Sequence, residues 1–151
     1  MSRTPARRAC ATSSAGARAR NSGSDPELFQ DHSALQAAGQ LMLAFAFLAS
    51  GIRNAFWKFG QHVERMAALG VPQPKFALVA GLALNFAGAI LLALDYQRVL
   101  GAWLLVVFTV AASLIFHRWW RVRDPLMRHL HIGNLLVNVG VVGGLLLVAA
   151  I

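Results

Sequence analysis

The sequence predicts an all-α fold, a membrane-spanning four-helix bundle with a short interfacial helix between the first and second spans. Three observations predict it. Of the 151 residues, 57% are hydrophobic and only 13% are charged, whereas soluble chains carry about 25% charged residues. Four runs, at 33–52, 76–94, 99–116 and 132–151, contain no formal charge. At about 1.5 Å of rise per residue, runs of this length cross a hydrocarbon core of about 30 Å. The runs are also apolar all round, where a helix of a soluble bundle would keep one polar face.

Residues 1–32 precede the first span. They are rich in Ser, Ala and Arg, have no acidic residue before Asp25 and show no apolar periodicity, so a disordered basic tail is expected. A secretory signal needs an apolar stretch of about 7 to 15 residues behind its basic start. None occurs before Leu28. The remaining readings are a cytoplasmic tail, an organelle transit segment or a false start, with the membrane domain occupying 33–151. The only cysteine, Cys10, lies in this tail, so cycling a dithiol would require a partner protein.

After the first span, 53–75 reads as a short amphipathic helix in the interface plane. Phe56, Phe59, Val63 and Met66 recur at helical spacing, while Gln61, Glu64 and Arg65 fall elsewhere. Gly70 offers a stop, and Pro72 with Pro74 is expected to hold the next helix back until the second span at 76. The tight connection 95–98 makes the second and third spans antiparallel neighbours. A longer connection, 117–131, carries Arg118, Arg121, Arg123 and Arg128 against one acid, Asp124. Trp57, Trp119 and Trp120 flank the spans as an aromatic belt does, with Trp103 at the opposite surface.

The first and third connections share a side and hold eight Lys or Arg residues against one in the second. The positive-inside rule then places them in the cytoplasm and both termini outside. Because hydrocarbon-length segments separate the basic clusters, the net charge of +8 reads as membrane anchoring and not as a nucleic-acid surface.

Polar side chains within spans should face other helices, since an unpaired amide or hydroxyl in hydrocarbon costs several kcal/mol. Thr109, Ser113 and His117 are spaced four apart on one face of the third span, and Asn134 and Asn138 four apart on the fourth. Antiparallel packing would set His117 near the level of Asn134 and Ser113 near Asn138. Asn85 sits midway along the second span, with Gly81 and Gly88 on nearly the same face. Gly140 and Gly144 form a GxxxG spacing in the fourth span, which supports tight packing within or between chains. The polar stripe has three readings: interhelical hydrogen bonding, a pocket for the head of a lipid-soluble molecule such as a quinone, or a docking surface for a partner. No metal site is expected. His117, His129 and His131 stand at span ends, where hydrogen bonding is the ordinary role, and no Asp or Glu lies within a span. Asp95 and Glu64 lie in connections, where a solvated charge is the default.

The segment 47–54 (FLASGIRN), the turn Gly70, Val71, Pro72, the stretch 85–92 (NFAGAILL) and above all 116–148 (FHRWWRVRDPLMRHLHIGNLLVNVGVVGGLLLV) resemble the DoxX family of four-helix membrane proteins. The resemblance extends over nearly all of 34–151. It implies a bacterial-type inner-membrane protein from a family whose named members are tied to quinol oxidation, thiosulfate oxidation and resistance to oxidative or thiol stress. Two departures stand out. The family often carries a Lys soon after the first-span glycine and a Glu before a small-residue pair in the second span, where this chain has Asn54 and Asn85. His117, Asn134 and Asn138 match positions where the family tends to be polar.

The expectation is therefore an accessory or scaffold subunit of a membrane redox or stress-response system, not an enzyme by itself. It would live in the lipid bilayer with a membrane redox partner subunit or as a homo-oligomer. The alternative is a quinone-linked oxidoreductase component in which His117 bonds the quinone oxygen while Ser113 and Asn138 orient the ring. A small-molecule permease is disfavoured, because no broken helix or internal repeat is evident.

Overall fold

The computed structural model describes residues 32–150. The expectations for the tail, Cys10 included, concern residues before His32 and lie outside the described residues, as does Ile151. Among the described residues all regular structure is helical: α1 (Ala34–Phe56), α2 (Phe59–Ala68), α3 (Pro74–Ala93), α4 (Arg98–Phe116) and α5 (Pro125–Ala150), with one 3₁₀ turn at Trp119–Arg121. Helices α1, α3, α4 and α5 are long and apolar enough to cross a membrane.

Ser33 starts α1 through a capping box. Its hydroxyl accepts from the Gln36 amide at 3.3 Å, and Gln36 Oε1 accepts from the Ser33 amide at 2.8 Å. The helix runs one turn past the uncharged segment and ends at Phe56, so Phe56 belongs to α1. It is exposed there and takes no part in the interfacial helix. The remaining amphipathic positions behave as expected: α2 buries Met66 against Leu78 and Leu82, with Phe59 and Val63 packed beside them. A Schellman motif closes α2. Gly70 has φ +77°, its amide donates to Ala67 O at 3.0 Å and the Val71 amide donates to Met66 O at 3.0 Å.

Two helix starts differ from the sequence expectation. Pro74 does not delay α3 but occupies its first turn, where its fixed φ suits the helix and its missing N–H is not needed. Helix α5 begins at Pro125, seven residues before the uncharged run. Asp124 Oδ1 accepts from the Met127 amide at 2.7 Å and caps it. Formal charge marks where a helix leaves hydrocarbon, not where it unwinds. The 26 residues of α5 extend about 39 Å, so its first turns, carrying Arg128 and His129, overhang the apolar layer.

Helix α3 packs on both α1 and α4, and α5 packs on α4. One core joins all four: Ala44 and Phe47 from α1, Ala89 and Leu92 from α3, Leu105 from α4 and Leu145 from α5 are among its members. Between α1 and α5 the contact is thin, with Leu43 at ordinary distance from the Cβ position of Gly144. Large apolar side chains face outward along the helices, Phe45 and Phe76 among them. This inside-and-outside hydrophobicity is that of a bundle solvated by lipid.

Candidate functional site

The polar stripe is a chain of hydrogen bonds. Thr109 Oγ1 donates to Leu105 O at 2.7 Å, and Ser113 Oγ donates to Thr109 O at 2.7 Å, each one turn back along α4. Asn138 Nδ2 on α5 then donates to Ser113 Oγ at 2.8 Å. On the other side of the bundle, Asn85 is fully buried and its Nδ2 donates to Phe47 O at 3.0 Å, joining α3 to α1. Asn85 Oδ1 is buried with no protein donor.

His117 and Asn134 depart from the expected arrangement. The His117 ring lies edge to face with His131, centroids 5.7 Å apart, and Asn134 is exposed. Ser113 and Asn138 sit at one level, but at the basic end α4 stops at Phe116 while α5 continues to Pro125, so the first turns of α5 have only the end of α4 and the 3₁₀ turn to pack on. That side of α5 stays uncovered where Asn134 projects.

Two clefts of about 220 Å³ share Asn138 in their linings. One opens between α1, α4 and α5, lined by Leu43, Phe47, Ser50, Phe108, Thr109 and Asn138 among others. The other is a groove between α4 and α5 that includes Val110, Ser113, Leu114, Leu135 and Asn138. Neither is lined by His117, Asn134 or Asn85. A wider cleft of about 490 Å³ lies between α1 and α5 near Gln40 and Gly144.

Glycine use differs along the helices. A Cβ on Gly88 would lie 2.9 Å from Gly101 O, and one on Gly101 would lie 3.0 Å from Gly88 O, so α3 and α4 touch backbone to backbone there. Gly81 has only Phe108 at 3.8 Å. A Cβ on Gly140 would meet nothing beyond its own helix backbone within 4 Å among the described residues, and one on Gly144 would meet only Leu43, at 3.6 Å. Within this chain, the close approach is therefore made by Gly88 with Gly101, and the GxxxG pair of α5 leaves room.

Several contributors were not singled out from the sequence. Gln40, midway along an uncharged run, is 1% exposed; its Nε2 donates to Leu92 O at 2.8 Å and to Asp95 Oδ1 at 2.9 Å. Asp95 is not a solvated loop charge. Its Oδ1 also lies 3.3 Å from His32 Nε2, which in turn is 2.7 Å from Arg98 Nη1. The available signal is Gln40 itself, since an amide within an uncharged span needs a partner on another helix.

At the opposite end, α2 is fastened to α4. Arg65 lies over the Phe116 ring at 5.6 Å, and Arg118 Nη1 donates to Leu69 O at 3.4 Å. His62 packs edge on against Phe116, with its Nε2 3.3 Å from Asn54 Oδ1. Burial, and then the Arg65, Arg53 and Lys58 charges, hold the His62 pKa below its ordinary value of 6.5. Among the described residues, no three His, Cys, Asp or Glu side chains converge as a metal site would require.

Comparison with known proteins gives one match. The family model described as DoxX matches residues 35–118, from the start of α1 to just beyond the end of α4. Helix α5, with Asn138, lies outside the matched range. No curated protein and no solved structure matches the chain.

Proposed function

The chain belongs to the DoxX family of membrane proteins, and from that premise we propose that it is an accessory or scaffold subunit of a membrane redox or stress-response system, without catalysis of its own. The observation that carries this reading is where the buried polar groups go. Thr109 and Ser113 bond the backbone of their own helix, Ser113 also receives Asn138, and Asn85 bonds the backbone of α1. The Asn85 and Asn138 bonds cross from one helix to another, which supports a role in holding the bundle together; such interhelical bonds contribute about 0.6 kcal/mol each in membrane interiors. The uncovered side of α5, with Gly140 and Gly143 open to the surroundings, leaves room for a neighbouring helix. A bacterial-type inner membrane, with the basic connections in the cytoplasm, completes the proposal.

A second reading, a quinone-linked redox component, is favoured by the cleft between α1, α4 and α5. There Phe47 and Phe108, rings 6.3 Å apart, and the polar Thr109 and Asn138 meet. Its donor would be Asn138, not His117, which does not line the cleft.

Purification in mild detergent, followed by mass spectrometry of proteins and lipid extract, separates the two. The scaffold reading expects a defined stoichiometric partner, lost in Gly140→Leu while the chain stays folded, and no stoichiometric quinone. A quinone bound one to one, and lost when Ala112→Phe fills the cleft, would replace that reading with the second.

A further inference from the structure

We propose that the groove between α4 and α5 binds one anionic phospholipid, with an acyl chain between the helices and the phosphate against Arg128 and Arg121. The groove has a volume of about 220 Å³ and is walled by Val110, Leu114, Leu135, Val139 and Val142. The Asn138–Ser113 hydrogen bond closes part of its floor. Its rim faces outward, with Val110, Leu114 and Val139 exposed. In a chain that spans the bilayer four times, this surface meets acyl chains and not water.

What selects the lipid is charge at one end of the groove. Arg128, Leu135 and Val142 follow one another at seven-residue steps, so they share a face of α5, and Arg128 stands about 10 Å from Leu135 toward the basic end. Its guanidinium is held 5.3 Å over the Trp119 ring, which itself lies edge on against Trp120 at 5.9 Å. Arg121 is exposed in the 3₁₀ turn that packs on α5. Among the described residues neither arginine has a carboxylate within 4 Å; the ion pair there is His32–Asp95, at the far end of the bundle. The acid nearest in sequence, Asp124, is engaged in capping α5. Arg118 is engaged by the carbonyls Leu69 O and Leu114 O.

An apolar channel with exposed arginines on the elements at its basic end calls for a ligand with both an acyl chain and a phosphate. Guanidinium groups bind phosphate oxygens in a planar, two-pronged geometry. A zwitterionic lipid brings its own cation to the same place, and free phosphate leaves the groove unfilled.

The test uses the full chain, delipidated in mild detergent. Native mass spectrometry and thermal melting are recorded with phosphatidylglycerol, with phosphatidylcholine of the same acyl chains and with inorganic phosphate. One phosphatidylglycerol should remain bound and raise the melting temperature, whereas phosphatidylcholine and phosphate should do neither. Retention should fall at least tenfold in the double variant Arg121→Gln, Arg128→Gln, whose side chains are exposed. It should fall similarly in Leu135→Trp, which fills the groove and leaves the arginines in place. Equal retention of the two lipids, the same stabilisation by phosphate alone, or retention unchanged in both variants would overturn the proposal.

Discussion

Replacing Gly101 by Val is expected to lower the stability of the bundle by about 3 kcal/mol or more, at the upper end of what overpacking costs. The reason is the identity of the atoms in the way. A side chain at Gly101 would meet Leu92 Cδ1 at 2.8 Å, Leu91 Cβ at 2.9 Å and Gly88 O at 3.0 Å. A flexible side-chain tip can rotate aside, but a carbonyl oxygen inside a helix cannot move without the helix. Gly88→Val meets Gly101 O at 2.9 Å from the other side and should be comparably severe. Because both substitutions break one contact, the double variant should cost less than their sum. Size-exclusion profiles after graded heating in detergent would measure this, with Gly140→Val as the control that should melt near the parent temperature, since a Cβ on Gly140 would meet no other part of the described chain within 4 Å. Equal losses at Gly101 and Gly140 would contradict the backbone contact between α3 and α4.

The second large effect is a coupled one. A Cβ on Gly51 would overlap the Asn85 amide nitrogen and lie 3.2 Å from the Phe86 ring. The bare glycine is what lets the Asn85 amide reach Phe47 O on the neighbouring helix. Gly51→Ala should therefore cost about 2 kcal/mol. Asn85→Ala removes the obstacle together with the buried Oδ1 that has no donor. Added to Gly51→Ala, it should recover at least about 1 kcal/mol relative to the sum of the single changes, as contacting residues do. Strictly additive melting losses would mean that the two positions are independent.

The spans were legible because hydrocarbon thickness dictates run length, and any four-residue spacing on a helix fixes a face. Thus Ser113 and Asn138, set at one level by antiparallel packing, do meet. What depends on which helix crosses which was not legible. Gly101 reads as one small residue in an apolar run until α3 is laid against it. The GxxxG spacing at Gly140 and Gly144 is conspicuous in sequence yet makes no close approach within the chain. Gln40 and Asp95 are 55 residues apart, and only the α1–α3 contact makes them partners. Helices α3 and α5 start ahead of their uncharged runs, at Pro74 and Pro125, because proline stops a helix only in its interior and suits its first turn, and at α5 Asp124 adds a side-chain cap. Asn134 was expected inside with Asn138, but α5 outruns α4 and leaves it exposed.

On the proposed function, the intramembrane polar groups are fasteners and not reagents. Replacing both members of a hydrogen bond by apolar groups of similar shape is nearly neutral for stability, so the double variant Ser113→Ala, Asn138→Leu separates the two roles. Growth of a deletion strain under oxidative or thiol stress, complemented by this variant at matched membrane levels, is the decisive measurement. Complementation equal to that of the parent chain is the expected result; a variant that inserts, folds and melts like the parent yet restores no growth would contradict it.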